Sequence, residues 1–266
     1  MINNKKIGVY DSGVGGLTVY EKLKKLMPNE NYIYYGDLKN QPYGEKTKDQ
    51  LIQYAEDIFK FFIEKDVKCI VMACNTTSAI AYEALKDKYD IKVYPIVQSC
   101  ANVLSLLEIE RLGVFATPVT INSHIYKSEI YKYNKDMQVF ELACPEWVKI
   151  VESNMINASS TIDCVKKYLD TMKQNNPDKI VLGCTHYPYL RRVLVNIWGD
   201  DVFIDPSIIF SNYIKYDLEK HNMLNLSENE GTEEFFVSAN PNEFKIAAKM
   251  FYELKNTPTL VEFAGV

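Results

Sequence analysis

Two cysteines occupy places from which a chain can do acid–base chemistry with sulfur: Cys74 in Ala73-Cys74-Asn75-Thr76-Thr77, and Cys184 in Gly183-Cys184-Thr185-His186-Tyr187-Pro188. Each follows an apolar run rich in β-branched residues, 67–72 in the first case and 179–182 in the second. A thiol at the carboxyl end of a buried strand, with the amides of a helix N-terminus beyond it, sits in a field that lowers its pKa and attracts anions. Having the arrangement twice suits a paired acid and base. Other polar clusters keep them company: Asp11-Ser12-Gly13-Val14-Gly15-Gly16, Asp37, Pro42-Tyr43-Gly44, Thr117 and Glu152.

The glycine cluster is not a phosphate loop. Thr18 stands where the last glycine of G-x-G-x-x-G belongs, and no Gly-Lys-Ser/Thr follows. Read alone, it is a strand-to-helix turn requiring positive φ. Asp11, a carboxylate immediately before those backbone donors, gives it chemical interest.

The elements that must position these residues come from hydrophobic period. Residues 7–10 read as a strand, and Leu17, Tyr20, Leu23 and Met27 recur as one helix face. Residues 32–36 form a second strand with Asp37 past its end, and Thr47-Lys48-Asp49-Gln50 is a capping box opening a helix through residue 64. Strand 67–73, helix 77–89 and strand 92–97 complete a β-α-β-α alternation. The pattern then restarts: a helix near 100–107, strand 112–116, helix 120–133, strand 137–142, two helices within 146–173, strand 179–183, helix 189–198 and strand 202–204. A helix from Pro206, strand 234–239 and helix 242–254 follow.

The expected fold class is therefore α/β, with two similar doubly wound domains and mainly parallel sheets. Residues 1–97 and 207–266 are assigned to a discontinuous first domain, and 98–206 to the second. Open parallel sheets bind ligands beyond the carboxyl ends of their strands. Asp11, Asp37 and Cys74 lie at such ends in the first unit, and Thr117, Glu152 and Cys184-Thr185-His186 in the second. Two such edges facing each other would enclose a small interdomain cavity, with Pro42-Tyr43-Gly44 as a turn at its mouth.

Bulk properties bound the class. In 266 residues, 47% hydrophobic and 24% charged content with 11 glycines describe an ordinary globular protein. The net charge of −5 argues against a nucleic-acid partner, which needs a clustered basic surface. The opening Met-Ile-Asn-Asn-Lys-Lys lacks the apolar core of a signal peptide, and no apolar run is long enough for a membrane span. Six cysteines (69, 74, 100, 144, 164, 184) without a C-x-x-C pair point to a reducing cytoplasm. Cys184 is the only one near a histidine, and further ligands at metal spacing are missing, so no metal is expected.

Five segments together resemble the signature of glutamate racemase, within the aspartate/glutamate racemase family: Asp11-Ser12-Gly13-Val14-Gly15-Gly16-Leu17, Pro42-Tyr43-Gly44, Ala73-Cys74-Asn75-Thr76, Cys144-Pro145 with Val151-Glu152, and Leu182-Gly183-Cys184-Thr185-His186-Tyr187-Pro188. They occur in the family's order over nearly the whole chain. Aspartate racemases typically follow the second cysteine with Thr-Glu and begin the first motif Cys-Asn-Thr-x-His, whereas this chain has Thr-His and Cys-Asn-Thr-Thr-Ser.

The resemblance implies cofactor-independent interconversion of L- and D-glutamate, supplying D-glutamate for peptidoglycan, by a cytoplasmic homodimer. It implies that Cys74 acts on the D-enantiomer and Cys184 on the L-enantiomer, with Asp11 assisting Cys74 and His186 assisting Cys184. Asp11, Ser12, Tyr43, Gly44, Asn75, Thr76, Thr185 and His186 would hold the substrate. Asp37 and Glu152 are secondary candidates for its ammonium group, and Thr117 is a further candidate. The residues agree on their own terms. Inversion at Cα without an electron sink needs a base on one face and an acid on the other, and no lysine sits in any cluster to form a pyridoxal Schiff base. None of the clusters contains Arg or Lys, so substrate carboxylates would be met by neutral donors and helix N-termini.

Alternatives stand beside this reading. An aspartate or broader amino-acid racemase would share the fold. A Cys-His hydrolase would use one cysteine with His186, and an amino-acid binding protein would need neither thiol. Cys69, Cys100, Cys144 and Cys164 read as packing residues, His124 and His221 as surface or capping residues, Arg191 and Arg192 as a solvated face, and Tyr126, Tyr131 and Tyr133 as a helix packing face. Val97-Gln98-Ser99-Cys100 and Lys149 depart from the family pattern, at places where they could alter closure of the units.

Overall fold

The computed structural model describes residues 4–263. Residues 1–3 and 264–266, which include the opening read for a signal peptide and the last residues of the tail assigned to the first domain, lie outside the described residues.

Strands β1 (Ile7–Asp11), β2 (Tyr32–Gly36), β3 (Cys69–Met72) and β4 (Lys92–Pro95) are followed by β5 (Arg111–Ala116), β6 (Gln138–Ala143), β7 (Lys179–Gly183) and β8 (Phe203–Ile204), then β9 (Glu233–Val237) and β10 (Thr259–Leu260). They form two sheets of order β10-β9-β2-β1-β3-β4 and β6-β5-β7-β8. Every pairing is parallel, so the expectation of mainly parallel sheets is met in full. The cores of the two sheets repeat one topology, since β1 and β5 each have the next strand on one side and the following one on the other. That reversal opens a crevice at the carboxyl end of the central strands.

Helices α1 (Leu17–Leu26), α2 (Lys48–Glu64), α3 (Asn75–Leu85) and α4 (Ile96–Ser105) alternate with the first strands. Through the second sheet run α5 (Pro118–Asn122), α6 (Ile125–Tyr131), α7 (Glu146–Glu152), α8 (Ser159–Lys173) and α9 (Arg191–Trp198), followed by α10 (Pro206–Lys220) and α11 (Pro241–Ala248). Covering both faces of a sheet explains why its strands read as continuous apolar runs. β1, β2 and β3 are buried at every position, yet they still sort by period two. Ile7, Val9, Tyr32, Tyr34, Cys69 and Val71 face a core that continues into the second sheet through Leu112, Val114 and Val181. Tyr10, Ile33, Tyr35, Ile70 and Met72 face the other way, onto Ile58, Phe59 and Phe62 of α2.

The capping box of α2 forms as its sequence requires: Gln50 N–H donates to Thr47 Oγ1 at 3.3 Å, and Thr47 N–H to Gln50 Oε1 at 3.0 Å. Thr47→Ala is expected to cost about 1 kcal/mol in chemical denaturation with an unchanged slope.

Several expected elements shift. Strand 92–97 ends at Pro95 and α4 begins at once, so residue 97 lies inside a helix that packs on both α3 and α6. The helix expected over 120–133 is broken: His124 takes φ 51°, separating α5 from α6, and its exposed ring meets Glu141 Oε2 at 2.7 Å rather than capping a helix. The final helix stops at Ala248, and the two exposed residues of β10 had no periodic signal to announce them.

The tail returns to the first sheet, with β9 pairing along the outer side of β2. A buried ion pair anchors the approach. Lys68 Nζ lies 2.6 Å from Glu30 Oε2 and donates to the Met223 carbonyl, while Asn225 N–H donates to Glu30 Oε1 at 2.7 Å. Gly231 is forced at the same crossing, because a Cβ there would stand 1.8 Å from the Glu30 carbonyl oxygen. Among the described residues no helix is long and apolar enough to cross a membrane.

Candidate active site

The polar clusters converge on one cavity of about 90 Å³. Ser12 follows β1, Cys74-Asn75-Thr76 follows β3, Thr117 follows β5, Pro145 follows β6 and Cys184-Thr185-His186 follows β7, so its walls come from the carboxyl edges of both sheets. Tyr43 and Gly44 close one side from a single 3₁₀ turn after a cis Gln41–Pro42 peptide bond. Among the described residues no Lys or Arg lines the cavity. Both cysteines reach it, each buried to within a few per cent of completely.

The two sulfurs have different surroundings. Cys184 Sγ lies 3.8 Å from His186 Nδ1, and His186 Nε2 lies 3.1 Å from Glu152 Oε1. Burial works against a charged imidazole, but the hydrogen bonds and charges of Cys184 and Glu152 outweigh it and hold His186 up at about 10. At neutral pH His186 is thus an imidazolium, with one N–H directed to the carboxylate and the other to the sulfur. Cys74, by contrast, has an acidic neighbour. Burial, reinforced by the nearby Asp11 charge, pushes its thiol up to about 12 against the opposing donors of Thr77. One thiol is held protonated while the other has a cation beside it.

Asp11 does not line the cavity; it stands fully buried behind the wall. Its carboxylate accepts from Gly13 N–H at 3.0 Å and from Thr185 Oγ1 at 3.2 Å, which ties the first glycine turn to the second cysteine turn. Thr18 Oγ1 adds a bond to the Thr185 carbonyl at 2.9 Å. Burial raises the Asp11 pKa, and the His186 charge and these donors partly offset it. The glycines serve this close approach. Gly13, Gly15 and Gly16 all lack positive φ, contrary to the turn read from sequence, and a Cβ on Gly15 would stand 2.5 Å from the His186 ring.

Neutral donors supply the rest of the wall. Thr76 and Thr117 hydroxyls meet at 3.0 Å, and Thr120 joins Thr117 at the same distance. Asn75 places its Nδ2 in the buried wall with no hydrogen-bond partner among the described residues. Asp37 is not at the cavity: its carboxylate accepts from the Tyr43 hydroxyl and from Asn40, and so fixes Tyr43 from behind. Glu152 does line it, but is engaged by His186 and by Gln41 Nε2 at 3.3 Å. Gln41 and Val148, which line the cavity, and Thr120 and Tyr126, which bond to lining residues, had no site signal of their own in the sequence; a loop brings in the first, and helices α7, α5 and α6 the others.

The remaining candidates lie elsewhere. Cys100 is a core residue whose Sγ donates to the Pro206 carbonyl, and Cys69 and Cys144 are fully buried away from the cavity. Gln98 brackets Ser78, accepting from its hydroxyl at 2.8 Å and donating to its carbonyl at 2.9 Å, which fastens α4 to α3, the helix that follows Cys74. Lys149 is exposed on α7. Arg191 pairs with Asp201, and His221 closes α10 by a bond to the Asp217 carbonyl. Tyr133 is exposed rather than packed.

Comparison with known proteins agrees with this geometry. The Asp/Glu/Hydantoin racemase family matches residues 7–207. The chain is 38% identical over 251 residues to "Glutamate racemase 2" of Caldanaerobacter subterraneus subsp. tengcongensis, covering 94% of each. It superposes on glutamate racemase from Francisella tularensis subsp. tularensis, solved in complex with D-glutamate, with a TM-score of 0.90 at 32% identity, covering 99% of this chain and 98% of that one. Aspartate racemase from Picrophilus torridus shares the fold, at a TM-score of 0.61 and 16% identity over 84% of this chain. With two parallel sheets that present a cysteine each to one cavity, and with its sequence matched to this family along most of its length, the chain belongs to the Asp/Glu/Hydantoin racemase family, among the glutamate racemases.

Proposed function

We propose that this chain interconverts L- and D-glutamate without a cofactor, using Cys74 and Cys184 as the two bases on opposite faces of Cα. The single observation that carries the reading is that both thiols line one small cavity in complementary environments, one held protonated and one set against an imidazolium. In the L-to-D direction, a Cys184 thiolate takes the Cα proton and the Cys74 thiol delivers its own proton to the other face. Cys184 then carries a proton and Cys74 a negative charge. Exchange with solvent resets the pair, and D-glutamate runs the same steps backwards.

The cavity suits an amino acid with two carboxylates and one ammonium group. Asn75 Nδ2, the Ser12, Thr76 and Thr117 hydroxyls and the amides opening α3 offer donors to its carboxylates without a neutralising lysine or arginine, whereas the Thr185 hydroxyl is spent on Asp11. Such donors also stabilise the charge that develops on the α-carboxylate as the proton leaves. We read the site as a cleft between a first unit built on the larger sheet (1–97 with 207–266) and a second on the smaller (98–206). A single-cysteine hydrolase would use the Cys184–His186–Glu152 row but leave Cys74 without a task. All six cysteines are free, as a reducing cytoplasm requires, and the product would serve peptidoglycan synthesis.

Incubation with L-glutamate in deuterated water, with no cofactor added, should give D-glutamate and deuterium at Cα. Absence of both refutes the reading, and faster turnover of L-aspartate reassigns the substrate.

A further inference from the structure

Tyr126, on α6, reads in the sequence as a packing residue, and it is indeed fully buried. Its hydroxyl, however, donates to Asn75 Oδ1 at 2.7 Å, across from the second sheet's helices to the residue after Cys74. The edge of its ring faces the last residue of β7, just before Cys184: a Cβ added to Gly183 would stand 3.0 Å from Tyr126 Cε2. One side chain therefore bonds to the residue after Cys74 and stands close to the residue before Cys184.

We propose that Tyr126 is a positioning residue for the substrate: its hydroxyl holds the Asn75 amide with Oδ1 engaged and Nδ2 turned into the cavity, as the donor for a carboxylate of the bound amino acid. Three observations converge on this. Asn75 lines the cavity. Its Nδ2 is buried and has no hydrogen-bond partner among the described residues, so a ligand acceptor is the group that satisfies it. Its Oδ1 already has a donor, and burial keeps the Tyr126 phenol protonated far above any working pH. Without that donor the amide can turn over and present oxygen to the carboxylate, which converts an attraction into a repulsion. The donor serves either enantiomer, because it acts on a carboxylate and not at Cα.

The inference rests on glutamate as substrate, so the wild-type reaction is the first control: if wild type fails to racemise glutamate, that reading falls and not this one. In an active enzyme, Tyr126→Phe should raise KM for both enantiomers about tenfold while leaving kcat within about threefold. Asn75→Ala should also raise KM, and adding Tyr126→Phe to it should raise KM no further. A KM within about twofold of wild type, or effects that multiply fully in the double variant, overturns the proposal. Should Tyr126→Phe melt too low to assay, Asn75→Asp carries the test. It keeps an acceptor for the phenol and loses the donor, so its KM should exceed that of Asn75→Ala; an equal or lower KM overturns the proposal.

Discussion

Cys74→Ser and Cys184→Ser should each fold normally and each lose racemisation by about a thousandfold or more. Sulfur and oxygen differ little in size here, but a serine hydroxyl neither ionises nor returns a proton at neutral pH as a thiol does. The loss should be as severe for one as for the other, because inversion needs both faces served in the same turnover. Deuterium uptake separates the two roles. With Cys184 intact and Cys74 replaced, exchange should persist on L-glutamate more than on D-glutamate, and the Cys184 variant should show the reverse. Retention of more than a tenth of the wild-type inversion rate by either variant would dismiss the two-thiol scheme.

The second large effect belongs to His186. Its replacement by asparagine removes the cation beside Cys184, and kcat/KM at neutral pH should fall about a hundredfold. The pH profile tells this from simple damage. With His186 held up at about 10, the alkaline fall in the wild-type rate is expected there and neutral pH is expected on the plateau. Glu152→Gln takes away one of the groups that hold this histidine up, so its alkaline limb should move to lower pH, toward the ordinary imidazole range. The His186→Asn variant should lose that limb and partly recover activity in alkaline buffer. Profiles parallel to wild type, merely lower, would assign His186 a packing role.

Much of this was legible in the chain because parallel sheets write themselves plainly. Residues 7–10, 32–36 and 67–73 are apolar on both faces, and the residues just past each strand are polar, so the carboxyl edge and its clusters could be read directly. Harder were features set by tertiary crossing. Asp11 precedes the glycines as a site carboxylate should, yet it is buried behind them because Thr185 from the other sheet's edge binds it. Asp37 and Glu152 look alike in sequence as free acids. One props up Tyr43 and the other pairs with His186, because each has a partner that local spacing cannot reveal. The break at His124 has no sequence signal, because residues 120–133 keep a helical period through it. Tyr126 gave no hint at all, since an aromatic at a buried helix position looks the same whether or not its hydroxyl has a task.

The strand that flanks β2 is β9, and about 200 residues of chain separate them. A ribosome works from the amino end, at about 5–20 residues per second, so on the order of ten seconds or more pass between the two being made. The smaller sheet draws all its strands from residues 111–204 and can close in that interval. The Tyr32–Gly36 border, rich in tyrosine and able to template a stranger's backbone, must meanwhile stay open on the nascent polypeptide. Translation therefore finishes the larger sheet last, and Lys68 and Glu30 wait with it for the Met223–Asn225 segment that latches the late strand in place.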